Sequence, residues 1–321
     1  MHRFVMEEQK KSPHATGEFT QLITSILTCV KAVAECVATA GIYRITENKP
    51  NYDYLDQVAN KLFVNMIRTS FTTCLMVSSE SQNLIEVALK DQGKYVVCFD
   101  PICGTPNVDC SAPIGSIFSI HKRLPEPQPN SCVVGQPSPK LWPTIEDALQ
   151  PGREIVAAGY VLYGSATVIM LSTGHGVNGF MLDYSIGEFV LSFSNVRIKP
   201  RGECYSINEG HASIWEKAVT QYIHEKKFPK SGKPYRARYS GSMVSDVHRI
   251  LIEGGIFLYP KTPEKIKLLC ECSPMAFIIE QAGGKATNGE MDILDIKPEA
   301  LHQTTPCYMG SPSDPLFVFI H

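Results

Sequence analysis

The chain reads as an α/β protein, and three observations in its 321 residues lead to that fold class. Its composition, 44% hydrophobic and 19% charged, is that of a globular protein able to bury a core. A long helical period opens the chain, and short apolar runs ending in polar residues then alternate with further helical stretches. At about 100–200 residues per domain, the length allows one large or two medium domains.

Charge and cysteine content narrow the function classes. With 32 acidic against 30 basic side chains, the net charge of −2 offers nucleic acid or an anionic membrane no general attraction. No nucleic-acid or membrane partner is expected, and an anionic ligand must be caught by a local pocket. Eleven cysteines, an odd number scattered from Cys29 to Cys307, with no secretory signal before them, predict a reducing, cytoplasmic setting. Met1 to Pro13 is basic and polar, without the apolar centre of a signal peptide or anchor. The most apolar segment, Ile155 to Leu171, is broken by Gly159 and Tyr163-Gly164-Ser165, which fits two buried strands joined at a turn better than a membrane span.

From Glu18 to Ala40 the residues Phe19, Leu22, Ile23, Ile26, Leu27, Val30, Val33, Ala34 and Val37 recur at three and four, predicting an amphipathic helix closed by Gly41. Its start, Thr16-Gly17-Glu18-Phe19-Thr20, sets hydroxyls and free N–H groups at the positive end of the dipole. That suits either self-capping, the plainer reading, or an anion. A second helix is expected from Tyr54 to Ser70. The runs Thr73 to Ser78, followed by Ser79-Glu80-Ser81, and Lys94 to Phe99, followed by Asp100-Pro101, read as strands that deliver polar groups at their C-terminal ends. Such groups serve as solvated turn carboxylates or as a metal or phosphate site.

Between His121 and Thr144, the runs Leu124-Pro125-Glu126-Pro127-Gln128-Pro129 and Gln136-Pro137-Ser138-Pro139 bracket a stretch with neither helical nor strand period, read as an exposed loop over 124–143. Strand character returns through Val161 to Leu171, Phe180 to Asp183 and Glu188 to Phe193. A change of composition at Ile198-Lys199-Pro200-Arg201-Gly202 sets the expected boundary between residues 1–198 and 199–321. Beyond it, helices are expected at Ser213 to Lys226 and Ser242 to Ile252, and strands at Gly255 to Tyr259 and Lys267 to Cys270.

Several segments are specific. Tyr205-Ser206-Ile207-Asn208-Glu209-Gly210, Ala237 to Arg249 (ARYSGSMVSDVHR), Gly254 to Pro260 (GGIFLYP) and Cys272-Ser273-Pro274-Met275-Ala276, with Lys94 to Pro101 and Leu149 to Thr167, resemble vertebrate-type fructose-1,6-bisphosphatase from about Arg3 to Pro315. The resemblance implies a layered α/β/α/β/α sugar-phosphatase fold of two halves, each with a sheet flanked by helices. It also implies an N-terminal AMP-type regulatory half carrying the metal site, a C-terminal sugar-phosphate-binding half, and a homotetramer. The implied reaction is Mg²⁺-dependent hydrolysis of the 1-phosphate of fructose 1,6-bisphosphate to fructose 6-phosphate, in gluconeogenesis, with Mn²⁺ or Zn²⁺ as alternative ions.

Position by position, the resemblance assigns Asn208, His211, Arg238, Tyr239, Tyr259 and Lys265, with Gly104 and Thr105, to substrate, and Arg238 to a neighbouring subunit's site. A guanidinium fork, an ammonium and phenolic hydroxyls are what a phosphate dianion needs. His211 stands where the family has tyrosine; imidazole has charge assistance only when protonated, so affinity becomes pH-dependent. Thr16, Gly17, Glu18, Thr20, Lys94 and Tyr95 match the AMP pocket, favouring the anion reading of that helix start, and Lys122, beside His121, replaces an arginine and loses its fork.

The chemical side departs from the pattern. Seven acidic family positions map to Asp56, Lys61, Ser79, Glu80, Asp100, Cys103 and Glu271, of which four remain acidic. Glu80, Asp56 and Asp100 are left as catalytic residues, and Asp100, Glu271, Glu80 and Asp56 as metal ligands. Counting thiol and hydroxyl as neutral, the ring falls from −7 to −3. Even at an effective dielectric of 20, a unit charge pair at 4 Å is worth roughly 4 kcal/mol, so an ammonium at Lys61 inside the ring would oppose metal loading. Cys103 reads either as a buried unreactive thiol or as a soft ligand completing a Zn²⁺ site with Asp100, Glu80 and Glu271. The segment between Gly41 and Leu55, which in the family folds over the metals, is shorter than in relatives, and the Pro-rich loop is longer. Two functions follow: a fructose-1,6-bisphosphatase of weakened activity, or a catalytically silent pseudoenzyme that binds sugar phosphate and modulates active relatives in mixed oligomers.

Overall fold

The computed structural model describes residues 1–10, 17–47, 51–125, 142–262 and 266–319. Thr16, Lys265 and residues 126–141 of the Pro-rich stretch therefore lie outside the described residues. The chain begins with helices α1 (His2–Lys10), α2 (Glu18–Glu47) and α3 (Asn51–Arg68), then strands β1 (Thr73–Ser78), β2 (Ile85–Glu86), β3 (Tyr95–Cys103) and β4 (Ile114–Lys122). After the short α4 (Ile145–Ala148) come β5 (Ile155–Tyr163), β6 (Thr167–Ser172), β7 (Val177–Asp183) and β8 (Glu188–Val196). These strands form one sheet in the order β2-β1-β3-β4-β5-β6-β7-β8, in which only β1 and β3 are parallel.

A second sheet follows, built from β9 (Cys204–Ser206), β10 (Arg236–Ala237), β11 (Ile256–Tyr259), β12 (Lys285–Thr287) and β13 (Cys307–Gly310), in the order β10-β9-β11-β13-β12. Its helices are α5 (Lys217–Lys227), α6 (Met243–Glu253), α7 (Ser273–Gln281) and α8 (Leu316–Phe319). The chain changes sheet between Val196 and Cys204.

Three apolar clusters make the layers. Leu22, Ile26, Val30 and Val33 of α2, with Phe63 of α3, pack on Val97, Phe99, Phe118 and Ile169 of the first sheet. Each such side chain contributes about 1.5–3 kcal/mol when fully buried. The Glu18–Ala40 window is apolar enough to cross a membrane by length and composition, but its apolar face is spent on this core. The opposite face of the sheet, through Ile117, Tyr160 and Met170, meets Val247 and Ile250 of α6 and Met275 and Ile279 of α7, which also cover Phe257 and Met309 of the second sheet. On the far side of that sheet, Ile256, Leu258 and Tyr308 pack against Val219 and Tyr222 of α5 and Leu316 of α8. The result is the expected α/β/α/β/α stack. At Gly159 a Cβ would lie 2.6 Å from the Phe118 ring, so this glycine is required for the ring to cross β5.

Four local expectations are corrected. The α2 helix runs through Gly41 to Glu47, because an interior glycine costs a helix only about 1 kcal/mol and stops it only where it turns left-handed. The segment between Gly41 and Leu55 is therefore largely helix, with 48–50 outside the described residues. The third strand passes Asp100-Pro101 and continues to Cys103 through a bulge. The strand expected at Lys267 to Cys270 is instead a π-helical turn, Leu268–Cys272, leading into α7; its apolar residues are buried all round, so periodicity could not separate the two.

The base of the Pro-rich stretch is held by one side chain. The buried Asp147 carboxylate accepts the Leu124 N–H at 2.9 Å and the Thr144 N–H at 2.9 Å, with Arg123 3.7 Å away. Asp147→Ala strands both N–H groups and should lower stability by about 1–3 kcal/mol, read as a shifted denaturant midpoint at unchanged slope.

Candidate active site at the seam of the two sheets

The pairing of parallel β1 and β3 ends at Ser78 opposite Phe99, with the Ser79 N–H on the Phe99 carbonyl at 3.0 Å. The turn they support is tied to α3, since Ser78 Oγ donates to Asn60 Oδ1 at 2.7 Å and Asn60 Nδ2 donates to Ser81 Oγ at 3.3 Å. It is also held from the second half: the Lys267 ammonium donates to the Ser79 carbonyl, and His302 Nε2 lies 3.0 Å from the Ser81 carbonyl.

Asp100, 4% exposed, accepts the Ser79 hydroxyl at 2.5 Å. In a regular strand Asp100 and Cys103 would face opposite sides, three residues apart. Between them β3 advances three residues while β4 advances two, Asp100 facing Ile117 and Cys103 facing Gly115. That extra residue re-aims the side chains, and one ligand atom each from Asp100, Cys103 and Glu271 lie within 4.8 Å of one another. Glu271 comes from the π-turn ahead of α7, its Oε2 accepting the Lys267 N–H at 2.7 Å.

Burial first, then the neighbouring Glu80 charge, pushes the Asp100 carboxyl up; the Ser79 hydroxyl and the Lys267 charge oppose this. Burial and the Asp100 charge push Glu271 up in the same way. The Cys103 thiol is raised by burial and by both carboxylates, against the backbone N–H groups of Val244 and Met243. The group thus concentrates negative charge in a dry place, relieved either by protons or by a cation.

Other assigned residues stand around this core. Glu80 is exposed at the turn, outside the tight group. Asp56 on α3 accepts the Thr105 hydroxyl at 3.2 Å. Gly104 has φ +90, and a Cβ there would lie 2.6 Å from that of Ser242, so the turn presses on the start of α6. Lys61 is corrected: it is exposed on α3, and the cation acting on both carboxylates is Lys267.

On the sugar side, β10, β9 and β11 are parallel neighbours, and their C-terminal ends present Arg238 and Tyr239, Asn208, and Tyr259. Asn208 Oδ1 accepts the Gly210 N–H at 3.0 Å and begins the 3-10 turn that carries His211. The loop after Arg238 is stitched to the metal-side turn. Asn107 Nδ2 donates to the Ser240 carbonyl at 2.9 Å, and Ser242 Oγ donates to the Cys103 carbonyl at 3.3 Å. Asp246, 3% exposed, takes the Ser240 N–H at 3.0 Å. Sequence reasoning missed Asn107, Asp246, Lys267 and His302. Only Asp246, an acid in the first turn after the Ser242 cap, carried a local signal, and that signal was for capping.

The described members of the predicted AMP set lie around the start of α2. Gly17 has φ +84, the Glu18 carboxylate lies 2.6 Å from the Lys94 ammonium, and Phe19 and Tyr95 have ring centroids 6.1 Å apart. Tyr95 pairs with Lys122 across β3 and β4, and Thr20 is buried. His121, 1% exposed, has no hydrogen-bond partner for either ring nitrogen among the described residues, and burial pushes it down to about 4, so it faces the interior.

The raised carboxyls have a signed consequence for stability. A carboxyl raised in the fold contributes stability that is present below its unfolded value, about 4.3 for glutamate, and lost as pH rises through the folded value. Glu271→Gln should therefore stabilise the metal-free protein under mildly alkaline conditions, with the gain shrinking as pH falls toward about 4. Denaturant unfolding across that range measures it; a pH-independent difference would contradict the assignment.

Comparison with known proteins matches this arrangement along nearly the whole chain. The family described as "Fructose-1-6-bisphosphatase, N-terminal domain" matches residues 1–194, and "Fructose-1-6-bisphosphatase, C-terminal domain" matches residues 198–315. Fructose-1,6-bisphosphatase isozyme 2 of Oryctolagus cuniculus is 49% identical over 324 aligned residues, covering 97% of this chain and 91% of the relative. Fructose-1,6-bisphosphatase 1 of Bos taurus is 48% identical, and the cytosolic fructose-1,6-bisphosphatase of Oryza sativa subsp. indica 40% identical, each with the same two coverages. With both halves matched in order and nearly half of the residues shared with mammalian relatives, the chain belongs to the fructose-1,6-bisphosphatase family.

Proposed function

We propose that the chain binds fructose 1,6-bisphosphate across the seam of its two sheets and hydrolyses the 1-phosphate with a divalent cation, at a rate well below that of a complete site. The observation that carries this reading is the Asp100–Cys103–Glu271 group, with Asp100 and Cys103 buried and Glu271 partly so, joined through Ser242 and Asn107 to the loop bearing Arg238 and Tyr239. Two carboxylates fit a divalent ion; the sulfur does not suit Mg²⁺, which favours oxygen and dehydrates reluctantly. Asp100 and Glu271 would hold the ion, and a bound cation supplies neutralisation of phosphoryl oxygens and a more acidic water. Glu80, exposed at the turn, is the carboxylate that would take the water proton. Asn208, His211, Tyr239, Tyr259 and Lys265 would hold the sugar and the 6-phosphate.

Weakening has three physical sources. Ser79 occupies an Asp100 oxygen, Lys267 places a cation beside both carboxylates, and Cys103 substitutes a high-lying thiol for a carboxylate. A second reading, contribution to active relatives in a mixed oligomer, is favoured by Arg238. Its guanidinium is exposed and donates to the carbonyl of the preceding residue, leaving its fork directed to no acidic partner of its own chain among the described residues. A homotetramer carries the same expectation. The cytoplasmic setting is supported by ten described cysteines that are all free and by the name of the cytosolic relative. AMP as inhibitor is supported by the Gly17–Thr20 and Lys94–Tyr95 cluster, where an incoming phosphate must displace Glu18 from Lys94.

Phosphate release from fructose 1,6-bisphosphate, measured beside calorimetric binding in Mg²⁺, Mn²⁺ and Zn²⁺, should show binding with turnover below about one per second, the low edge of the usual range. The combined Ser79→Glu, Cys103→Asp variant should raise Mg²⁺-dependent turnover. Absence of substrate binding would overturn the reading, and a folded double variant without gain would shift the cause to the shortened α2–α3 connection. AMP at millimolar concentration should raise the melting temperature; an unchanged melting temperature would remove the regulatory pocket.

A further inference from the structure

We propose that Cys103 is a metal ligand and that it turns the centre it shares with Asp100 and Glu271 from a Mg²⁺ site into one selective for thiophilic divalent cations such as zinc or cobalt. The inference deepens the reading that these carboxylates hold a cation.

Three features of the chain carry it. First, the sulfur belongs to the ligand group itself: its Sγ and one oxygen from each carboxylate lie within 4.8 Å, the only such group among the described residues. Nine other described cysteines are free, and none of them takes part in such a group. Second, Cys103 is where it is because of the bulge in β3, without which an odd spacing from Asp100 would send the thiol to the other face. Third, Cys103 is fixed and shielded: it is 6% exposed, and its own carbonyl accepts the Ser242 hydroxyl at 3.3 Å, so the sulfur is held in place with little water to compete for an ion.

Donor chemistry then decides the ion. A sulfur with two oxygens and few competing waters suits a borderline cation, whereas Mg²⁺ requires oxygens throughout. Three protein donors is also the number found in catalytic zinc sites, which keep a further position open for water or substrate. Loading releases the thiol proton to solvent, together with any proton held by Asp100 or Glu271.

The test is a titration of the full chain, under reducing conditions, with Co²⁺ and with Cd²⁺, followed by sulfur-to-metal charge-transfer absorption. One equivalent should produce the band, and excess Mg²⁺ should not remove it. Cys103→Ser should abolish the band and weaken binding by at least about tenfold, the scale on which even outer-shell losses act. Cys110→Ser, which removes the one exposed thiol among the described residues, should leave the band intact. Cys103→Asp keeps the site occupied by an acid and reports folding; it should lack the band and gain affinity for Mg²⁺. No band at saturation, or a band that survives Cys103→Ser, would overturn the proposal. Turnover with Mg²⁺ in the absence of a band would sink it while leaving the phosphatase reading intact; a Cys103-dependent band without substrate binding would do the reverse.

Discussion

The burial of α6 and α7 between two sheets is the constraint from which the rest of the molecule follows. Both helices touch β-structure on two sides, through Val247 and Ile250 of one and Met275 and Ile279 of the other, so neither sheet has a complete core without them. A helix covered on both sides must be apolar nearly all round, and α7 is buried from Ser273 to Ile279. The N-terminal ends of the two helices, at Ser242 and at the π-turn bearing Glu271, carry polar groups. Those ends meet the Asp100–Cys103 turn, which is why the chemistry lies at the seam.

The same placement makes the candidate site costly. Two carboxyls and a thiol are held out of water with a single ammonium, that of Lys267, acting on both acids, and the molecule meets the cost by shifting their protonation rather than by pairing each of them. Hydrogen bonds from both halves hold the turns in place: Lys267 and His302 on the 79–81 turn, Asn107 and Ser242 between the 103–107 turn and the sugar-side loop. Rigid support around a poorly solvated charge cluster is the arrangement in which stability is given up for binding.

Much of this was legible in residue order, and the parts that were not share a cause. Strands such as Thr73–Ser78 and the helix from Glu18 carry periods and end signals that local chemistry fixes. The π-turn at Leu268–Cys272 does not, because burial on every side erases period. Lys61 was assigned to the ligand ring by position in the family pattern, yet a lysine on a helix surface follows its long stem into water. The cation that does act there, Lys267, is adjacent to the carboxylates only because the π-turn brings Glu271 back over it. The metal-side and sugar-side residues were found by resemblance; Asn107 and Asp246, which join and brace them through backbone atoms of Ser240, carry no sequence pattern for that role.

Asp147 gives the fold a property unrelated to its chemistry. Because the chain leaves β4 and returns to α4 on the two oxygens of one carboxylate, the geometry of the exit is independent of how many residues intervene. Closing a longer connection costs only about 0.6 kcal/mol of entropy for each doubling of length. The position is therefore a port at which sequence can be gained, lost or exchanged between lineages, or a foreign domain grafted, while the sheets on either side keep their register.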